Sequence, residues 1–212
     1  MSKPMTPVAV HVSWSASASP AGCDESVVAR AVAGELDAVA GLLRAIRPSV
    51  IGVVRRVLGA CDAEVDDAVQ HALIGFVQAL PAYRGDAGPA AYAKTIALRS
   101  ALAFRRRYQS VARRSDDEDR ARTIPSDRPS PNDDLSAERR RALLRRLLGE
   151  IPMEQAEALA MRAVLGWSLE EIARHTGAPL NTVRSRLRLA KEALRRKIEE
   201  KPSLSEELSL DE

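Results

Sequence analysis

The sequence predicts an all-α protein made of two small helical domains joined by a flexible acidic linker. Aromatic residues make up only 3% of the 212 residues, which disfavours a β-sandwich or barrel, whereas Ala, Leu, Arg and Glu dominate as they do in helices. Apolar residues recur at spacings of three and four over two separate stretches of the chain. Between these stretches, residues 115–136 carry three Pro, four Ser and seven acidic residues, a composition too polar to bury a core.

The first domain is assigned to residues 27–114. The residues before it, 1–26, are rich in Ser, Ala, Val and Pro without helical periodicity, and we interpret them as a disordered arm. Helical periodicity begins at Leu36, and Gly59 is expected to end that helix. Pro48 is expected to kink or break the helix near its middle, because proline lacks the N–H that the helix needs.

Two more helices complete this domain. Asp62 can cap the second helix, residues 81–89 form a Pro- and Gly-rich loop, and the third helix covers about residues 90–108. The apolar residues expected to form the inner faces of the three helices are Leu36, Val39, Leu43, Ile46, Val50, Val53, Val54, Val57, Val65, Val69, Leu73, Phe76, Val77, Leu80, Ala93, Ile96, Ala97 and Phe104.

The second domain is assigned to residues 137–200, followed by an acidic tail over residues 201–212. Helical periodicity resumes at Leu143, Leu144, Leu147, Leu148 and Ile151. Pro152 then starts a new helix, which Gly166 is expected to end. The tail carries four acidic residues and is expected to fray.

The segment Ser168–Lys191 predicts a helix-turn-helix. Ser168 followed three residues later by Glu171 forms a capping box, which marks the start of a short helix. Gly177 can adopt the left-handed conformation that ends this helix, and Pro179 prevents its continuation. A longer helix is then expected from Asn181 or Thr182 to about residue 197. The alternative interpretation is an ordinary helical hairpin whose basic face is simply solvated.

The second helix of this pair leaves polar residues exposed near its N-terminus. Residues of these types suit a DNA groove, because N-terminal residues of a recognition helix meet base edges and Arg contacts guanine or phosphate. The candidate residues are Asn181, Thr182, Arg184, Ser185 and Arg188.

Charge is distributed unevenly along the chain, although 32 basic and 29 acidic residues leave a net charge of only +3. One basic cluster contains Arg99, Arg105, Arg106, Arg107, Arg113 and Arg114. A second contains Arg184, Arg186, Arg188, Lys191, Arg195, Arg196 and Lys197. An acidic segment follows each cluster. This pattern favours two surfaces that each face a polyanion, in a chain with flexible connections.

Several function classes are disfavoured. Two Cys residues do not make a disulfide scaffold, and neither they nor the three His residues have metal-ligand spacing. His175 is expected to lie at the surface. There is no nucleophile triad, Gly-rich phosphate loop or paired catalytic carboxylates, so we expect no catalytic residues, cofactor, metal or small-molecule substrate. No apolar run approaches the length of a membrane span, so no membrane insertion is expected.

Three segments carry a resemblance to a known family. GWSLEEIARHTGAPLNTVRSRLRLAKEAL, residues 166–194, resembles conserved region 4 of bacterial RNA polymerase sigma factors. DAEVDDAVQHALIGF, residues 62–76, resembles region 2.2, and YRGDAGPAAYAKTIALRSALAFRRR, residues 83–107, resembles regions 2.3 and 2.4. The two-domain layout is similar to the small extracytoplasmic-function (ECF) type, and the resemblance covers about residues 36–198.

The resemblance implies a subunit that binds core RNA polymerase and directs it to promoter DNA in the cytoplasm. Region 4 would read the −35 element, and region 2 would read the −10 element and hold the separated strand. It also implies an inhibitory anti-sigma partner. Asp67 and Gln70 match the core-docking positions of region 2.2. The candidate −10 residues are Tyr83, Arg84, Asp86, Arg99, Arg105, Arg106 and Arg107.

The sequence departs from the family pattern at a few positions. His71 stands where the family has an acidic residue, Tyr92 replaces the usual Trp, and Leu189 replaces a common Arg. Arg99 and Ala103 replace the usual Asn and Asp. Two other interpretations stay open: a stand-alone regulator of the LuxR type with a similar helix-turn-helix, and a degenerate sigma factor that only titrates an inhibitor.

Overall fold

A computed structural model describes residues 24–59, 62–85, 87–115 and 142–200. Within these residues it contains helices and no strand, as the all-α prediction expects. The helices are α1 (Glu25–Val32), α2 (Leu36–Leu58), α3 (Asp62–Ala79), α4 (Pro89–Ser115), α5 (residues 142–148), α6 (Met153–Val164), α7 (Leu169–Thr176) and α8 (Leu180–Glu199), with a 3₁₀ turn at Leu80–Ala82. No helix in the described ranges has both the length and the apolarity needed to cross a membrane.

Helices α1–α4 form the first group, in which α2 packs against α1, α3 and α4. The spacing of apolar residues explains this arrangement, because one stripe of each helix is buried. On α2 the fully buried stripe includes Leu42, Ile46 and Val50, and on α3 it includes Val65 and Phe76. Most of the predicted inward residues are buried or half-buried in this core.

The prediction of a core position is wrong for two residues. Leu36 is 82% exposed, because it is the first residue of α2 and lies beyond the end of the buried stripe. Val77 is 37% exposed, because the buried stripe of α3 runs through Ala72 and Phe76, and the next residue points about 100° away from it.

The N-terminal boundary also differs from the prediction. Helix α1 begins at Glu25, inside the segment that was interpreted as a disordered arm. Asp24 caps it by accepting a 2.8 Å hydrogen bond from the Glu25 N–H, and Ala31 is buried against the rest of the group. The remainder of the arm, residues 1–23, lies outside the described residues.

Pro48 does not break α2, which continues from Leu36 to Leu58. The prediction of a break is therefore wrong. The packing on both sides of the proline explains the result, because Ile46 and Val50 are both buried. Burial of this apolar stripe offsets the roughly 3 kcal/mol that an interior proline costs. Gly59 ends the helix as expected, with φ of 97°.

Helix α4 is longer than predicted and continues through Ser115, where the linker was expected to begin. The rest of the predicted linker, residues 116–136, and the acidic tail, residues 201–212, lie outside the described residues.

Helices α5–α8 form the second group, in which α6 and α7 pack against α8. Pro152 stands immediately before α6, as predicted, and the helix ends at Val164 before Gly166. This group also packs against the first one, since α6 contacts both α2 and α4. Most buried residues of the two groups form one continuous apolar core, from Leu42 on α2 to Met161 on α6 and Val183 on α8. Leu143 and Leu147 form a separate small cluster with Leu194 and Ile198.

Candidate nucleic-acid interfaces

Helices α7 and α8 form the predicted helix-turn-helix, and local side-chain contacts set its start. The Ser168 N–H donates to Glu171 Oε2 at 2.7 Å, and the Glu171 N–H donates to Ser168 Oγ at 3.1 Å. This reciprocal capping box satisfies two of the N–H groups that a helix start leaves without partners.

The turn between the helices depends on Gly177 and Thr176. Gly177 has φ of 66°, a left-handed conformation that favours glycine, and it ends α7 as the sequence predicts. Thr176 Oγ1 donates to the Ile172 carbonyl at 2.7 Å. Ile172 and Val183 are both buried between the helices, so α8 is held at a fixed angle to α7.

The predicted recognition residues lie together on the first two and a half turns of α8. Asn181, Arg184, Ser185 and Arg188 are exposed on one face, at spacings of three and four. Thr182 was also expected to be exposed, but it is half-buried.

Two of the arginines on this face already have acceptors. Arg184 Nη1 donates to Asn181 Oδ1 at 3.3 Å, and Arg188 pairs with Glu192 at 2.6 Å. Both contacts are within one helix and solvent-exposed, so each stabilises its rotamer by no more than about 1 kcal/mol. Either arginine can therefore exchange its acceptor for a phosphate or a base edge.

The described part of the loop before α4 carries two of the candidate −10 residues. Tyr83 is half-buried and donates its hydroxyl hydrogen to the Ala87 carbonyl. Its ring packs against that of Tyr92, with the centroids 5.3 Å apart and the planes tilted by 49°. Tyr92 in turn lies 6.1 Å from Phe76, so the aromatic rings form a row that leads into the core. Arg84 is exposed. Asp86 lies outside the described residues.

The three consecutive arginines of α4 point in three directions. Arg105 Nη1 donates to the Val57 carbonyl at 3.1 Å, so it joins α4 to the last turn of α2. Burial lowers the pKa of Arg105 to about 10, with a smaller contribution from the positive charge of Arg145. Arg106 donates to the Ile151 carbonyl in the second group, while Arg107 is exposed toward α3.

Arg99, two turns earlier on α4, also contacts the second group. Its Nε lies 3.3 Å from Glu157 Oε1 on α6. The structure therefore does not gather the candidate −10 residues on one free face, since Arg99 and Arg106 face the second group and Arg105 faces α2.

Asp67 and Gln70 are exposed on α3 and line a groove between α3 and α4. The other residues that line this groove are His71, Ile74, Phe104, Arg107 and Tyr108. Of these, only Arg107 was predicted from the sequence to be a site residue, and that prediction concerned the −10 element. Ile74 and Tyr108 are 47% and 48% exposed, which is unusual for side chains of this size. An apolar residue on the polar side of α3 was the signal that could have revealed the groove.

Comparison with known families covers both helical groups. The Sigma-70 region 2 family matches residues 42–111, and the Sigma-70 region 4 family matches residues 141–194. The ECF RNA polymerase sigma factor SigD of Mycobacterium tuberculosis is 31% identical over 170 residues, which are 76% of this chain and 76% of that protein. The chain belongs to the ECF sigma factors.

Other relatives agree with this assignment. The ECF RNA polymerase sigma-E factor of Escherichia coli is 29% identical over 185 residues, which cover 83% of this sigma factor and 94% of the relative. A solved structure of CnrH in complex with the cytosolic domain of CnrY has a similar fold, with a TM-score of 0.50 and 20% identity, and it covers 84% of this chain and 97% of that one.

Family membership gives the two helical groups their names. Region 2 corresponds to α2–α4 and region 4 to α5–α8, so this protein is a transcription initiation factor that recognises promoters with core RNA polymerase. The match to region 2 disfavours a stand-alone regulator of the LuxR type, whose resemblance was confined to the helix-turn-helix. Among the described residues, no group of His, Cys, Asp or Glu side chains could hold a metal ion.

His175 in region 4 is half-buried, whereas the prediction placed it at the surface. Its ring lies edge-on to Trp167, with centroids 4.0 Å apart. Burial lowers the pKa of His175 to about 4, helped by the positive charges of Arg174 and Arg99 and opposed by Glu171.

This histidine predicts a pH dependence of stability. Because the pKa of His175 is about 4 in the folded state and about 6.5 when unfolded, the unfolded chain binds more protons between these values. Above about pH 6.5, His175 is neutral in both states and does not lower the free energy of unfolding. We expect this free energy to fall as the pH drops from about 6.5 toward 4. Urea unfolding at pH 7 and pH 5 gives the difference in the free energy of unfolding between the two pH values. His175→Gln should reduce this difference, and an equal difference in the variant contradicts the prediction.

Proposed function

We propose that region 4 reads the −35 element as a duplex, with α8 in the major groove. The observation that carries this proposal is the single exposed face formed by Asn181, Arg184, Ser185 and Arg188 at the start of α8. A helix-turn-helix places this part of its second helix against base edges. Asn can pair with adenine and Arg with guanine, while Thr182 and Ser185 can donate to bases or phosphates.

We propose that region 2 recognises the −10 element and holds the separated strand. Tyr83 and the exposed Arg84 stand in the loop before α4, where an unpaired base can be received without a row of exposed aromatic rings. The proposal assigns phosphate contacts to Arg99, Arg106 and Arg107, and Arg105 remains a candidate of the same kind. Asp86 completes the candidate loop residues.

We propose that Asp67 and Gln70 bind core polymerase through the groove between α3 and α4. Both side chains are exposed, and the groove combines the apolar Ile74 with the cationic Arg107. An apolar strip with a polar rim is the usual composition of a protein interface. The occupant would be a helical element of the largest catalytic subunit.

The remaining assignments follow from the same role. The protein acts in the cytoplasm, where core polymerase and DNA are found, and it has no catalytic activity or cofactor of its own. An inhibitory anti-sigma protein is expected to hold it until a signal arrives. The structure of CnrH with the cytosolic domain of CnrY is an example of such a fold bound to another protein.

Reconstituted transcription tests the proposal. Purified protein and core polymerase are incubated with a library of genomic fragments, and the 5′ ends of the transcripts are sequenced. Initiation at a discrete set of sites that share elements near −10 and −35 supports it. Transcription no higher than that of core polymerase alone refutes it.

The groove predicts a selective defect. Asp67→Arg is expected to weaken binding to core polymerase at least tenfold, because it reverses a charge at the proposed interface. Asp66→Arg is the matched control, since Asp66 is exposed on the neighbouring face of α3 and does not line the groove. Titration of a fluorescently labelled chain with core polymerase gives both affinities. Equal losses in the two variants would show that net charge, not the groove, determines binding.

A further inference from the structure

Helix α8 carries an exposed apolar side chain beside its polar face. Leu189 is 38% exposed, although leucine is among the residues that proteins most often bury. Its neighbouring leucines on α8 are covered by protein, since Leu187 is 9% exposed and Leu194 packs against Leu143 and Leu147. Leu189 therefore has apolar surface that the described part of the chain leaves in contact with water.

The position of Leu189 on α8 places it at the edge of the proposed −35 surface. It directly follows Arg188 and comes four residues after Ser185, so it lies one turn beyond Ser185 on the same side of the helix. Thr182 is seven residues before Leu189 and lies on this side as well. Thr182, Ser185 and Leu189 therefore form a row along one side of α8.

This row is short enough to lie within one major groove. Leu189 comes eight residues after Asn181, which is about 12 Å along the helix axis at about 1.5 Å per residue. The major groove of B-DNA is also about 12 Å wide. When the first turn of α8 meets base edges, Leu189 therefore faces the same stretch of duplex.

The chemistry of the base edges determines which base an apolar side chain can contact. In the major groove, adenine and guanine present the acceptor N7 with a polar group at position 6, and cytosine presents its N4 amino group. Covering such a group without giving it a hydrogen bond is unfavourable. Thymine presents a methyl group on C5, and contact between this methyl group and leucine removes apolar surface of both from water.

We propose that Leu189 is a specificity-determining residue of region 4, which selects a thymine in the −35 element through contact with the C5-methyl group of that base. This inference rests on the proposed function, because it requires α8 to lie in the major groove of that element. It adds an apolar contact to the hydrogen bonds proposed for Asn181, Arg184, Ser185 and Arg188. An Arg in place of Leu189 would favour guanine instead, so this position changes which base is preferred.

Replacement of thymine by uracil tests the contact, because it removes one methyl group and leaves the base pair intact. Reconstituted transcription supplies the promoters and their shared −35 element. Each thymine of this element, on either strand, is replaced in turn by deoxyuridine, and the affinity of the holoenzyme formed from this chain and core polymerase is measured by competition. At one thymine, or at two adjacent ones, we expect the affinity to fall about fourfold, the effect of leaving one methyl group unburied.

Variants of α8 show whether Leu189 is responsible for this preference. Leu189→Ala is expected to bind the thymine and uracil promoters with equal affinity, and Leu189→Arg is expected to favour guanine at the same position. Ile198→Ala is the matched control, since Ile198 is half-buried near the end of α8 and packs against Leu143 and Leu147. This control should keep the fourfold preference for thymine over uracil.

The outcomes separate the thymine contact from the proposed function. The inference is overturned, and −35 recognition stands, if the element contains no thymine, if every thymine tolerates uracil, or if Leu189→Ala keeps the preference. Loss of the preference in Ile198→Ala as well would assign the effect to the packing of α8 and would also overturn the inference. If the transcribed promoters share no element near −35, the proposed function fails, and the thymine contact fails with it.

Discussion

Replacing Phe76 by Ala is expected to lower the free energy of unfolding of region 2 by about 3–5 kcal/mol, the usual cost of removing a buried aromatic ring. Phe76 is 1% exposed and has the largest of the fully buried side chains. It also supports the ring of Tyr92, against which Tyr83 packs, so its loss removes the support of the proposed −10 loop. Because domains of this size have only about 5–15 kcal/mol of stability, the loss is a large fraction of the total.

Thermal and urea unfolding measure this change, and transcription measures its consequence. Val77→Ala is the matched control, since Val77 is the next residue of α3 and is 37% exposed. It should cost less than about 1 kcal/mol and leave transcription unchanged. Similar losses in the two variants would mean that Phe76 does not anchor the core in the way its burial indicates.

The helix-turn-helix could be predicted from sequence because its determinants are local. The capping box joins Ser168 to Glu171, and the turn requires a left-handed residue at Gly177, so the signals fall within ten residues of each other. The inward position of Val183 follows from the period of the helix that this turn starts.

Helix α1 was missed although a local signal existed. Asp24 is a good N-cap residue, and Gly34 with φ of 87° follows the helix two residues after its end. The helix has only eight residues, which is too short to show a persistent period. Pro48 shows the opposite error, since a strong local signal was overridden by burial of the helix on both sides.

The contacts between the regions could not be predicted from sequence. Arg99 and Glu157 are 58 residues apart, and Arg106 bonds to a backbone carbonyl, which carries no residue type to recognise. The sequence correctly predicted that three adjacent arginines point in different directions around a helix. It could not predict which group each side chain contacts. The partial burial of His175 could not be predicted for the same reason, because Trp167 becomes its neighbour only when α7 packs in place.

Replacing Arg188 or Ser185 by Ala is expected to weaken binding to the cognate −35 duplex by about 1–3 kcal/mol each, or roughly 5- to 150-fold, if the side chains contact base edges. Both residues are exposed on the face of α8 that the helix-turn-helix presents to the groove. Affinity is measured for the cognate duplex and for duplexes with single base changes. If the side chain contacts a base, the variant should no longer discriminate between bases at that one position.

Two variants on the same helix separate base recognition from charge. Glu192→Gln removes the 2.6 Å ion pair of Arg188 but keeps the guanidinium, so the affinity should be unchanged or slightly higher, because an exposed pair contributes no more than about 1 kcal/mol. Arg195→Ala removes the same charge two turns further along α8, where Arg195 is exposed and lies 3.8 Å from Glu199, and it should weaken all duplexes equally. If Arg188→Ala also weakens every duplex by the same factor and lowers the salt dependence, Arg188 contacts a phosphate, and base recognition belongs to Asn181, Arg184 and Ser185.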